Sequence, residues 1–171
     1  MRNFVYGFIV ALAAIALSAY VYFALGLAPV ATAAPPIPFE ETLAHAALHA
    51  VVNRQAPKTV PIAANVENYS AGARIYRNNC AGCHGLPDQP EAAIAHGMFP
   101  KPPQLFKDMG VTDDPPGVTY WKAANGIRLT GMPAFKGSLS DTELWQVSLM
   151  LANADKLPAS VRGTLSAPLP Q

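Results

Sequence analysis

The sequence predicts an all-α protein, with one apolar N-terminal helix followed by a small helical domain. Three observations carry that expectation. Phe4 to Leu27 is a run of 24 residues without a charge. The remainder shows few alternations of β-branched and polar residues, so essentially no sheet is expected. Ser140 and Glu143 open the clearest amphipathic stretch of the chain with the S-x-x-E pattern of a capping box.

The apolar run comes first. At 1.5 Å per residue it makes a helix of about 36 Å, enough for a hydrocarbon core of about 30 Å. A signal-peptide core is shorter, about 7–15 residues, so length favours a retained membrane anchor. Tyr20, Tyr22 and Phe23 lie near its outer end, where amphipathic rings suit the interface. Ala31-Thr32-Ala33 has the small-x-small form of a cleavage site, which keeps signal cleavage as the alternative. Arg2 is expected to stay in the cytoplasm, and the remainder to be exported.

Composition narrows the function classes. Apolar types are 51% of the 171 residues and charged types 13%, about half the usual charged share. That deficit is concentrated in the apolar run. Twelve basic against eleven acidic residues leave a net charge of +1, which argues against a charge-driven nucleic-acid binder. Seventeen prolines and twelve glycines show no Gly-X-Y period, so collagen and low-complexity architectures are excluded. Two cysteines cannot make a multi-disulfide scaffold.

Four segments are expected: residues 1–34 as the anchor, 35–69 as a Pro-rich spacer with one helix, 70–158 as the main helical domain, and 159–171 as an extended tail. Ala34-Pro35-Pro36-Ile37-Pro38 breaks any helix. Phe39 to Gln55 then reads as a helix, with Glu40 and Glu41 in its first turn, Arg54 in its last and Pro57 beyond. Leu43, Ala47 and Val51, with Leu48 and Val52, give it an apolar face. Ala71 to Asn79 is helical in composition. Pro87 to Pro116 is broken by Pro and Gly. Thr119 to Asn125 reads as a short helix stopped by Gly126, and Ser140 to Ala154 as a longer one, with Pro158 beyond.

The chemistry lies in Cys80-Ala81-Gly82-Cys83-His84, the C-x-x-C-H pattern of c-type haem attachment. Two thiols three residues apart on one helical turn can each add to a vinyl group of one porphyrin, and His84 then sits under the iron. Both cysteines of the chain are in this motif, so one covalently bound haem c is expected. Three other readings exist. A zinc site could use Cys80 and Cys83 with His45 and His49, which are spaced i, i+4 on one helix face. That order is unlike a zinc finger. A thioredoxin-type C-x-x-C lacks its βαβ context. A plain Cys80–Cys83 disulfide would leave residues 87–116 nothing to wrap.

With these residues in view, the chain resembles the class I c-type cytochromes, the mono-haem family. Gly72-Ala73-Arg74-Ile75-Tyr76 followed by Arg77-Asn78-Asn79-Cys80 is similar to that family's Gly-x-x-x-aromatic-x-x-x-Cys helix. Asn125-Gly126-Ile127 and Gly131-Met132-Pro133-Ala134-Phe135 resemble its second half, and the capped helix with Trp145 its C-terminal helix. The resemblance runs from about Ser70 to Pro158. It implies a small haem domain of about three to five helices, in which two helices cross and close the haem crevice. Gly72 would allow a close approach there, with Trp145 as the ring expected to cover it.

His84 is the expected proximal ligand of the iron. Distal candidates are Met98, Met109, Met132, Met150, His45, His49 and His96. Met150 lies between Leu149 and Leu151 and reads as core. Met109 sits in a loop. Met98 and His96 follow His84 by a short route around a porphyrin, and His45 and His49 precede the resembling region. Met132 is 48 residues after His84 in an irregular loop, between Gly131 and Pro133. It is the expected sixth ligand, and an open position is the main alternative. The resemblance also implies that a proline carbonyl fixes the imidazole through Nδ1–H, here from Pro102 or Pro103. Tyr120, Trp121 and Arg128 are candidates to meet the haem propionates, with core packing and solvent exposure as the alternatives.

Haem iron held by His84 and Met132 has no free position for a substrate. The expected function is single-electron transfer between redox protein partners by a membrane-tethered carrier on the outer (periplasmic) face, and not an enzyme activity of its own. A fixed electron-transfer subunit of a larger respiratory, photosynthetic or dehydrogenase complex is one alternative. A haem sensor or peroxidase with open iron is another.

Overall fold

The computed structural model describes residues 1–107 and 112–167. Among the described residues there are eight α-helices, one 3₁₀ turn and no strand. The chain divides into two compact units, residues 1–40 and 41–171.

The first unit contains α1, Arg2–Ala24. It is 23 residues long with no buried residue, and is long and apolar enough to cross a membrane. It stops three residues short of the apolar run's end, where Gly26 takes a positive φ of 67°.

Helix α2 (Glu40–Gln55), which lies in the second unit from its second residue on, begins one residue after Phe39. Phe39 has φ 67° and so lies outside the helix. Its apolar face is covered unevenly. Leu43 is 67% exposed, whereas Val52 near the C-terminal end is buried, as is Ala56. A Cβ at Gly117 would collide with the Pro57 carbonyl oxygen, and Trp121 Nε1 donates to Gln55 Oε1 at 3.1 Å. The end of α2 and Pro57 therefore belong to the helical domain and are not a free spacer.

Helix α3 (Val66–Asn79) starts five residues before the expected Ala71. The Asn65 side chain accepts from the Asn68 backbone N–H at 2.9 Å, and Glu67 follows in the first turn. The short turns α4 (Ala81–His84) and α5 (Ala93–His96) come next. Helix α6 (Pro116–Asn125) has Pro116 in its first turn, where a missing N–H costs nothing, and ends at Gly126 with φ 67°.

Helix α7 (Asp141–Leu151) has the expected capping box. The Glu143 N–H donates to Ser140 Oγ at 3.3 Å, and the Ser140 N–H donates to Glu143 Oε2 at 2.8 Å. It stops at Leu151, before the expected Ala154, and a 3₁₀ turn follows over Ala154–Lys156.

The expected extended tail is corrected by α8, Ala159–Ser166. Pro158 precedes the first turn of this helix and so starts it. Leu157, Val161 and Leu165, one turn apart, are at most 1% exposed. Pro168 and Pro170 lie outside the described residues.

Helix α3 is the centre of the core, packed against α7 and α8, while α6 packs on α7. A Cβ at Gly72 would collide with the Gln146 carbonyl oxygen and lie 2.8 Å from Met150 Cβ. Gln146 and Met150 make the close approach, and Trp145 does not. The Trp145 ring instead stacks on Tyr120, with centroids 4.2 Å apart. Ala73, Tyr76, Met150, Leu157 and Val161 are all buried in one cluster. Full burial of an aliphatic side chain contributes ~1.5–3 kcal/mol. This cluster joins α3, α7 and α8.

Candidate functional site

Helix α3 runs straight into the motif. The Cys80 N–H donates to the Tyr76 carbonyl at 2.8 Å, and the Cys83 and His84 N–H groups both donate to the Cys80 carbonyl, at 3.1 and 2.9 Å. These bonds set both sulfurs and the imidazole on one turn. Both thiols are free and half-buried. Burial, with Cys83 alongside, pushes the Cys80 thiol up to about 12.

Gly85 ends the turn at φ 74°, a conformation that disfavours a side chain. A Cβ there would also collide with Gln104 Oε1. The buried Tyr76 hydroxyl donates to the Gly85 carbonyl at 2.6 Å. Burial raises the Tyr76 phenol, so it stays protonated and keeps donating. Its ring meets Phe106 edge-on at 5.1 Å. Gln104 Nε2 donates to the Cys83 carbonyl at 3.4 Å.

His84 Nδ1 lies 2.8 Å from the Pro103 carbonyl oxygen. A carbonyl only accepts, so Nδ1 carries the hydrogen and the lone pair is on Nε2. Burial lowers the His84 pKa, partly opposed by the Pro103 contact. The favoured state is the neutral imidazole, which is the form that ligates metal. Of the two prolines expected to hold the ring, Pro103 makes the contact.

Met132 sits in a loop that folds back on α6. The Ile127 N–H donates to the Met132 carbonyl at 3.2 Å, and the Met132 N–H donates to Thr130 Oγ1 at 3.1 Å. Thr130 Oγ1 donates to the Ile127 carbonyl at 2.7 Å. The Phe135 N–H donates to the Ala123 carbonyl at 2.9 Å. A Cβ at Gly126 would lie 2.7 Å from Ala134 N and 2.9 Å from the Met132 carbonyl oxygen. Met132 itself is half-buried.

The other distal candidates have separate places. Met150 is fully buried in the core. His96 is exposed and lies 3.5 Å from Glu91. His45 and His49 stack on exposed α2, with centroids 6.2 Å apart. Met98 is half-buried against Gly131. Met109 lies outside the described residues. Among the described residues no group of three or more His, Cys, Asp or Glu could hold a metal ion, so the zinc alternative is not assembled.

Two of the three candidates for the propionates, Tyr120 and Trp121, have protein partners. The Tyr120 hydroxyl donates to Asp141, which pushes its pKa up to about 12. Trp121 Nε1 donates to Gln55. Arg128 is exposed.

Sequence reasoning did not assign roles to Gly85, Gln104 and Phe106. Gly85 had a signal, being a glycine directly after the motif. Gln104 and Phe106 had none, since only the fold brings them to it.

The chain from residue 67 to residue 149 matches the family model described as cytochrome C oxidase, cbb3-type, subunit III. Residues 67–149 belong to the class I c-type cytochrome family. No curated protein and no solved structure matches the chain. The cytochrome domain has a role in electron transfer, and its family implies haem c and redox protein partners. The donor set fits that group: two free thiols on one turn, and an imidazole whose Nδ1 is already engaged.

Proposed function

We propose that this chain is a membrane-tethered, single-haem electron carrier, with Cys80 and Cys83 as the thioether attachments and His84 and Met132 as the axial ligands. The observation that carries the reading is the His84 Nδ1–Pro103 contact within C-x-x-C-H. It orients the ring and reserves Nε2 for iron. Bound haem supplies a one-electron change at iron.

The chain's own residues do the rest. Cys80 and Cys83 hold the group covalently on a turn braced by Tyr76. Met132 offers a soft, neutral thioether that favours ferrous iron relative to a second imidazole. With His84 and Met132 as its ligands, the iron would have no position left for a substrate. Helix α1 acts as a retained anchor that raises the effective concentration of the haem domain near membrane redox complexes. Its length supports this, and the haem domain then faces the periplasm.

Met132 variants test the ligation. Met132→Ala should open the ferrous iron to carbon monoxide without denaturant, while the haem stays on the chain through Cys80 and Cys83. Met132→His should keep six-coordination and lower the reduction potential. Both should lose the weak red absorption band of ferric His/Met haem. A Met132→Ala protein that keeps the band and excludes carbon monoxide assigns the ligand to another residue. Native ferrous protein that already binds carbon monoxide favours the open-iron sensor or peroxidase.

A second reading is a fixed subunit of a larger oxidoreductase. The uncovered N-terminal half of α2, with Leu43 exposed, favours it, as does the oxidase-subunit description of the matching family. Co-purification from membranes at fixed stoichiometry distinguishes it from a free carrier.

A further inference from the structure

The geometry points to Met98 as a positioning residue that holds the Gly131–Met132 segment in place. This rests on Met132 being the distal ligand. Gly126 and Gly131 bracket the loop, and they are glycines for different reasons. Gly126 has φ 67° and lies against the backbone of residues 132–134. Gly131 is not among the residues with positive φ, so its backbone conformation would accept a side chain. What a side chain there would displace is the flexible end of Met98. A Cβ at Gly131 would collide with Met98 Cε, and Met98 Sδ would lie 3.5 Å from it. These are the atoms nearest that position.

Met98 is half-buried, and its N–H donates to the Ala95 carbonyl at 3.4 Å, which ties it to the end of α5. Five residues later the same segment supplies the Pro103 carbonyl to His84. One stretch of chain thus braces the proximal imidazole and presses on the residue before the distal thioether. Methionine suits the second task, because its unbranched, polarisable side chain fills an irregular gap against bare backbone. The Met132 loop is otherwise held by a few hydrogen bonds, each of ~0.5–1.5 kcal/mol. Loss of one side-chain contact therefore changes how often the thioether leaves the iron.

The test is a double-mutant cycle on the full chain carrying its haem, in detergent, using Met98→Ala, Gly131→Ala and the pair together. Three quantities are read: the red band, the rate of carbon monoxide binding to ferrous protein, and the thermal melting of the helices. Met98→Ala should raise the carbon monoxide rate about tenfold, the change that ~1.4 kcal/mol of lost loop packing produces, with little shift in helix melting. Gly131→Ala should weaken the band and raise the rate only modestly, because the Met98 methyl can swing aside. Adding Met98→Ala to Gly131→Ala should restore the band towards that of Met98→Ala alone, because the space the new methyl needs is then free. Met98→Leu, which keeps the bulk, should retain the band.

A Gly131→Ala defect, including failure to attach haem, that is no milder with Met98→Ala overturns the inference. A Met98→Ala protein whose band and helix melting fall in parallel reduces Met98 to ordinary packing and also overturns it. Loss of the band in Met98→Leu, with the band kept in Met132→Ala, makes Met98 the ligand and overturns the Met132 assignment itself. The Met132→Ala control therefore separates failure of the ligation reading from failure of the positioning role.

Discussion

The turn that carries His84 rests on a buried tyrosine, whereas the loop that carries Met132 rests mainly on its own hydrogen bonds. On the His84 side, Tyr76 is 0% exposed, donates to Gly85 and meets Phe106, which packs against the main core. Pro103 and Gln104 add two contacts from a distant stretch of chain. On the Met132 side, Ile127, Thr130 and Met132 bond mostly to each other. Leu129 at the crest has φ 60° and is 93% exposed. The helical core thus reaches His84 directly and Met132 through a short loop. If the two are the proposed ligands, a site built this way would hold His84 fixed and leave changes of coordination to Met132.

Removing both thiols is the largest perturbation that can break this comparison. Cys80→Ala with Cys83→Ala should abolish covalent haem, read as complete transfer of haem to the organic phase in acid–acetone. The α3–α7–α8 cluster has apolar contacts of its own, so circular dichroism of the purified variant should retain most of the helical signal. A chain that turns to coil would show that the His84 side is no better built than the Met132 side.

Tyr76→Phe comes next. It leaves the Gly85 carbonyl unpaired in the interior, at a cost of ~1–3 kcal/mol in denaturant unfolding. Entry of carbon monoxide at the distal position should hardly change. A Tyr76→Phe protein as open to carbon monoxide as Met132→Ala would erase the distinction between the two sides.

The smallest effect tests a feature common to both sides. Ser140→Ala removes the cap of α7 and should cost ~1 kcal/mol, with the ligation unchanged. Two groups of Ser140, its hydroxyl first and then its backbone N–H, hold the Glu143 carboxyl below its usual value. A depressed folded-state pKa contributes stability above the unfolded value, about 4.3, and that stability is lost as the pH falls through the folded value. Glu143→Gln should therefore flatten the decline of stability below about pH 4.3, measured by thermal melts across an acid series.

Much of this was legible in the sequence where one local pattern decided the structure. The C-x-x-C-H turn, the Ser140 capping box and the stop at Gly126 each depend on neighbours within four residues. The start of α3 was missed because its cap is Asn65, in a stretch that Pro61 marks as coil. Helix α8 was missed because Pro158 read as a stop and Pro168 and Pro170 as extended chain. Yet Leu157, Val161 and Leu165 are spaced one turn apart and meet α3 in the fold. The partners of Tyr120, Trp121 and Gly72 are all remote in sequence, and helical periodicity does not say which helix will face them.

The last of these helices has a consequence for the order of events during synthesis. Arg77, three residues before the first motif thiol, donates to the Thr164 and Leu165 carbonyls at 3.0 and 3.4 Å and also to the Ala167 carbonyl. These contacts close a loop of nearly 90 residues, and such closures come at a high entropic cost early in folding. While the chain is emerging from the ribosome, the two thiols are delivered before α8 is available. The core behind Cys80 therefore stays open in the nascent chain, before the burial that holds its thiol protonated has been completed. Chemistry at the two sulfurs meets its most accessible substrate in that interval, before the final helix seats.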